Sequence, residues 1–100
     1  MARTRFLHIG FDFKGPVKTK ELEPAFNKGV DWIRYSPACW IVHTTSNPSR
    51  WYERLNPLLG PDDSVFICEL NMHHRFGKFP KWAWEWINKF GQQTKYEVLE

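Results

Sequence analysis

The run "FLHIGFDF", Phe6 to Phe13, ends an apolar strand pattern with a carboxylate, Asp12. A carboxylate at a strand end is either solvated and bonded to turn amides, or a ligand for a hard cation. Mg²⁺ and Mn²⁺ take oxygen ligands and keep several waters, so a single aspartate holds them poorly. Two copies of Asp12 facing each other across a two-fold axis would supply the pair. An ion held that way can activate water against a phosphodiester. His8 lies on the same face of the strand, and Cys39 and His43 share a face of a later one. Zinc chemistry is available to that set, but the spacing matches no zinc signature, and ordinary packing on a sheet face is the simpler expectation.

The other polar candidates are phosphate contacts. His73-His74-Arg75 with Lys78 and Lys81 makes a short basic run, a solvated loop by default and a phosphate contact as the second choice. Arg34 and Ser36 flank a turn and are equally suited to bind phosphate or to satisfy that turn. In "PKWAWEWINKF", Trp82, Trp86 and Phe90 recur at helical spacing with Ala83 and Ile87 beside them, and Trp84 falls off that stripe as the expected exposed partner contact. The chain contains no glycine-rich phosphate loop, CxxC pair, HExxH or GxSxG elbow.

The positioning elements follow from periodicity. Residues 5–13 alternate, with Leu7, Ile9, Phe11 and Phe13 on one face and Phe6, His8, Gly10 and Asp12 on the other. Residues 19–30 predict a helix with Thr19 as N-cap, Leu22, Phe26 and Val30 on its apolar side, and Gly29 near its end. Residues 31–35 and 39–45 predict a hairpin around Ser36-Pro37-Ala38. Ser46 or Asn47 caps a second helix with Pro48 in its first turn; Trp51, Leu55, Leu58 and Leu59 form its stripe, and Pro57 distorts its last turn. A strand over 64–70 follows. The order strand, helix, strand, strand, helix, strand is that of an α+β, ferredoxin-like βαββαβ domain with two helices on one face of an antiparallel sheet. An added aromatic helix over 80–90 stops at Gly91, and a short strand over 95–99 closes the chain.

The totals agree with one globular domain of 100 residues, 42% hydrophobic and 17% aromatic. A net charge of +3 permits nucleic-acid binding without arguing for it, since no Lys/Arg block is present. Cys39 and Cys68 lie in apolar strand patterns and read as buried free thiols of a cytoplasmic protein. No apolar run is long enough for a membrane span, and no signal peptide is expected.

This layout resembles the small CRISPR-associated family that scaffolds spacer integration, many of whose members are described as metal-dependent nucleases, and the stand-alone relatives of that fold, endoribonuclease-type antitoxins among them. The resemblance is carried by "FLHIGFDF", "WIRYSPACWIVHTTSNPSRWYERL" and "LGPDDSVFICEL", about residues 5–70. It implies a homodimer with open sheet faces packed together, RNA or DNA as substrate, and Asp12 from each chain on Mg²⁺ or Mn²⁺. Arg34 and Ser36 match its basic and hydroxyl positions. The residues themselves leave two readings open: such a nuclease, or a non-catalytic module that binds protein or nucleic acid.

Overall fold

The structure, a computed structural model, describes residues 3–90. The predicted strand over 95–99 and the stop at Gly91 lie outside the described residues. The chain is α+β, with a four-stranded antiparallel sheet and three α-helices among the described residues. It divides into two compact units, the first ending at Leu70 and the second starting at Asn71.

The first unit begins with β1 (Arg5–Asp12), followed by α1 (Thr19–Phe26), β2 (Asp31–Ser36), β3 (Cys39–Thr44), α2 (Pro48–Leu55) and β4 (Ser64–Glu69). The sheet order is β2-β3-β1-β4, so β1 and β3 are central and β2 and β4 are the edges. Register puts Leu7 opposite Val42 and Ile9 opposite Trp40. On the other side of β1, Ile9 meets Ile67 and Phe11 meets Val65. These side chains share the face that carries the helices. Their core is aromatic: the Phe26 ring stacks on Trp40 at 4.8 Å and on Trp51 at 5.7 Å, and Phe11 meets Trp40 edge-on. The Trp51 indole N–H donates to Thr44 Oγ1 at 3.1 Å, which satisfies a buried donor. Truncating one of the fully buried leucines, Leu7, Leu22 or Leu55, is expected to cost ~2–5 kcal/mol.

The helices begin and end for local reasons. Asn47 caps α2 by accepting from the Arg50 N–H at 2.9 Å, with Pro48 in the first turn. The 3₁₀ turn Asn56–Leu58 holds Pro57, which lacks the N–H that would continue the α-helix. In α1 the expectation needs correction. The helix ends at Phe26, and Val30 is 55% exposed outside it. Nor is Thr19 the cap: that position is Lys18, and the Thr19 hydroxyl accepts from Arg34. Gly29 is where the chain turns towards β2, and a Cβ there would stand 3.1 Å from Val42 and 3.2 Å from the His43 carbonyl oxygen.

The second unit holds a 3₁₀ turn, Met72–His74, and α3 (Lys81–Phe90). Ala83 and Ile87 are its buried positions, while Trp82 is 50% exposed. The predicted stripe of Trp82, Trp86 and Phe90 is therefore not the buried seam. Small and branched side chains take it, and the indoles lie to either side.

Candidate functional site on the second sheet face

Alternation sends Phe6, His8, Gly10 and Asp12 to the sheet face opposite the helices. Register sets them beside His43, Ile41 and Cys39 of β3 on one side, and beside Cys68, Phe66 and Ser64 of β4 on the other. This face is not uniformly open. Phe6, Ile33, Ile41 and His43 are buried, whereas Asp12, Phe66 and Cys68 are exposed. The accessible part is thus the β4 side and the Asp12 end.

His8, Cys39 and His43 do not form the metal set their spacing allows. His8 pairs with Ile41, so His43 stands across from Phe6, with the two rings stacked at 4.9 Å. Among the described residues no group of three or more His, Cys, Asp or Glu is placed to hold a metal ion. Instead His8 Nε2 makes a short hydrogen bond to the Tyr35 hydroxyl. A register shift between Arg34 and Ser36 puts Tyr35 at a bulge. Burial, helped by the Cys39 thiol, pushes the Tyr35 phenol up to about 12. Burial lowers the His8 pKa, and it lowers that of His43 against the opposing pull of Asp31. The cluster is therefore neutral near pH 7, a polar patch that is hydrogen-bonded and uncharged. Gly10 gives the His8 ring its place, since a Cβ there would lie 3.3 Å from His8 Cε1.

Asp12 stands at the end of this face, opposite Ser64. Its carboxylate accepts from Lys14 Nζ at 2.8 Å, and both side chains are well exposed. The carboxylate in turn raises the Lys14 pKa, through the hydrogen bond first and charge second. A divalent ion at Asp12 would have to displace that ammonium or sit beside it. One chain thus offers Mg²⁺ or Mn²⁺ a single carboxylate already engaged by a cation, which is not a site; a second carboxylate has to come from elsewhere.

The predicted phosphate contacts are scattered. The Arg34 guanidinium lies on the helix-bearing face, donates to Thr19 Oγ1 at 2.7 Å and sits over the Trp40 ring. Ser36 is half-buried at the end of β2. Arg75 donates to the Met72 carbonyl at 3.0 Å and to Asn88 Oδ1 at 2.8 Å, which ties the loop to α3. Lys78 is exposed, and Lys81 pairs loosely with Glu85 at 3.7 Å. Trp84 was expected to be the exposed indole, but it is half-buried and tilts against Phe79 at 5.4 Å; Trp82 is the accessible one. The aromatic contact displaces Trp84 from solvent.

Three residues escaped the sequence reading. Phe66 is 70% exposed in the middle of β4. Strict alternation of "SVFICE" already separates it from Val65 and Ile67, but an apolar run invites a buried reading of every position. The same run hides Cys68, expected to be buried and in fact exposed; Cys39 is half-buried, and both thiols are free. Asp63 accepts from the Lys14 and Gly60 N–H groups, both at 2.9 Å, and pairs with Lys18 at 3.3 Å. These backbone bonds, with Lys18 behind them, hold its carboxyl below the usual range and clamp the loop after β1 to the turn before β4. Nothing in "PDDS" distinguishes Asp63 from Asp62; only the loop brought against it does.

No family model, curated protein or solved structure matches the chain.

Proposed function

We propose that the protein is a ferredoxin-like, non-catalytic binding module whose partner is a protein, received on the β4 side of the second sheet face. The fold assignment is supported by element order together with strand order, which read from the other edge is β4-β1-β3-β2 with every neighbour antiparallel. The observation that carries the function is Phe66. Its ring is 70% exposed on an edge strand and stands across from Gly10, which has no side chain to cover it. An exposed aromatic ring on an edge strand, flanked on the same face by the small side chains of Ser64 and Cys68, suits an apolar protein surface. It does not suit a phosphate backbone, which requires free cations. Of the basic candidates for that role, Arg34 bonds Thr19 on the helix-bearing face and Arg75 bonds Asn88, while Lys78 is exposed and Lys81 pairs loosely with Glu85; none of the four belongs to β4.

The second reading is the metal-dependent nuclease implied by the family resemblance. It is favoured by the exposure of Asp12 at the end of β1. A cleavage assay on short RNA and DNA with Mg²⁺ or Mn²⁺, run beside Asp12→Ala, separates the two. The binding module predicts no turnover in either protein. Cleavage that the substitution abolishes would establish the nuclease instead.

A further inference from the structure

Phe66 belongs to a strand whose outer edge has an unusual set of properties, and these name an occupant. The Leu70 N–H donates to the Phe6 carbonyl at 2.9 Å. In the β1–β4 register these two residues form a directly opposed pair, so the bond sets the phase of the ladder. Even-numbered residues of β4 exchange backbone bonds with β1. Odd-numbered residues, Val65, Ile67 and Glu69, turn their N–H and C=O groups outward. Among the described residues no strand lies on that side.

The strand also lacks the usual defences of an edge. "SVFICE" contains no lysine, proline or bulge, and its only charge is terminal. The ends of the edge carry opposite excess charge. Around Glu69 stand two arginines, Arg3 and Arg5, against that one carboxylate. Around Ser64 stand three carboxylates, the exposed Asp12 and Asp62 and the largely buried Asp63, against Lys14 and Lys18. An antiparallel partner of identical sequence sets each end against its complement.

We infer that a second copy of this chain occupies the edge, with β4 pairing antiparallel to β4 about a two-fold axis between the two Phe66 residues. This deepens the proposed function by naming the protein partner, and it rests on that reading. The outward groups of Val65 then bond to those of Ile67 in the other copy, and Ile67 to Val65. Phe66 faces Phe66 as a non-hydrogen-bonded pair, the arrangement in which cross-strand side chains approach most closely. Ser64 falls opposite Cys68. The result is a continuous eight-stranded sheet with a paired aromatic centre on its second face. The two Asp12 carboxylates end up far apart: about 14 Å across three strand spacings and about 13 Å along four residues. An edge dimer and a shared metal ion at Asp12 therefore exclude each other.

The register is testable with the native thiol. Non-hydrogen-bonded pairs bring Cα atoms within disulfide range. Ser64→Cys, oxidised with diamide, is expected to give a covalent dimer through Cys68 of the other copy, while wild type and Ser64→Cys/Cys68→Ser remain uncross-linked. Sedimentation of the wild-type chain over about 1–300 µM should show a reversible dimer. Phe66→Lys, with unchanged circular dichroism, should weaken it at least about 100-fold. A wild-type chain that stays monomeric throughout, with no Ser64→Cys cross-link, overturns the inference. A Phe66→Cys chain whose cross-link is mapped to Cys68 of the other copy, with no cross-link from Ser64→Cys, overturns the register and with it the aromatic pair. Asp12-dependent cleavage by a protein that still cross-links through Ser64→Cys would refute the functional reading and leave the dimer standing.

Discussion

The two edges of this sheet make opposite provisions for the same hazard. Every edge strand presents unpaired backbone groups to any strand that approaches. At β2 the hazard is met three times over: a bulge at Tyr35, a charged residue at Asp31 and the exposed guanidinium of Arg34. The bulge breaks the ladder's regularity, and the charges would lose hydration under a neighbour. At β4 the register with β1 runs unbroken from Leu7–Glu69 to Asp12–Ser64, and the centre of the strand is uncharged. Selection against aggregation tolerates such an edge when something normally covers it. The difference between the two edges is what the proposed β4 interface rests on.

The largest expected effect comes from charge at the centre of the open edge. Phe66→Lys should cost the dimer ~3 kcal/mol or more while leaving monomer stability within about 0.5 kcal/mol, read by sedimentation and urea denaturation side by side. Next is a proline pair that tests the phase of the ladder. Phe66→Pro removes an N–H directed at β1 and leaves a carbonyl there unsatisfied, so the monomer should lose ~1–3 kcal/mol. Ile67→Pro removes an outward N–H and the packing of Ile67 against the core; it should abolish dimerisation and cost the monomer little beyond what Ile67→Ala costs. An equal excess of each proline over the alanine at the same position would contradict the assigned phase. At the closed edge, Arg34→Ala removes the bond to Thr19 and the cation over Trp40. It should cost ~1 kcal/mol in urea unfolding and leave any affinity for RNA unchanged by fluorescence anisotropy.

The smallest effects concern pH. His8 and His43 have folded pKa values below the usual histidine value, so the unfolded chain takes up protons first. Their contribution is present above about pH 6.5 and declines as pH falls through the lowered folded values. Tyr35 has the opposite sign: its stability is complete below about pH 10 and is lost as pH rises towards the folded value of about 12. A urea midpoint that falls between pH 7 and 5, with a shallower fall in His43→Phe, would bear this out. An unchanged slope in that variant would remove His43 from the account.

Much of the fold was legible because it is written locally. The alternation of Leu7, Ile9 and Phe11 against Phe6, His8 and Asp12 is a period-two signal, and the register keeps it. Asn47 and Pro48 start α2 as expected because capping involves neighbours in sequence. The site was less legible. Arg34 looks like a phosphate ligand until α1 brings Thr19 beneath it. Trp84 looks free until the Phe79 ring meets it. Asp63 looks like any turn aspartate until the loop after β1 presents the Lys14 N–H. Each of these assignments depends on a contact between residues that sequence spacing does not order.

The sequence by itself determined the elements, their order and the two faces of β1, because side-chain periodicity and backbone chemistry act over a few residues. It also placed Asp12 off the core face. Tertiary structure alone decided which strands became the edges of the sheet among the described residues, that Gly10 lies opposite Phe66, and that Asp12 is held by Lys14. Pairing register and loop docking are set by the packing of distant segments, and an exposed ring on an edge strand acquires meaning only once its neighbours are in place.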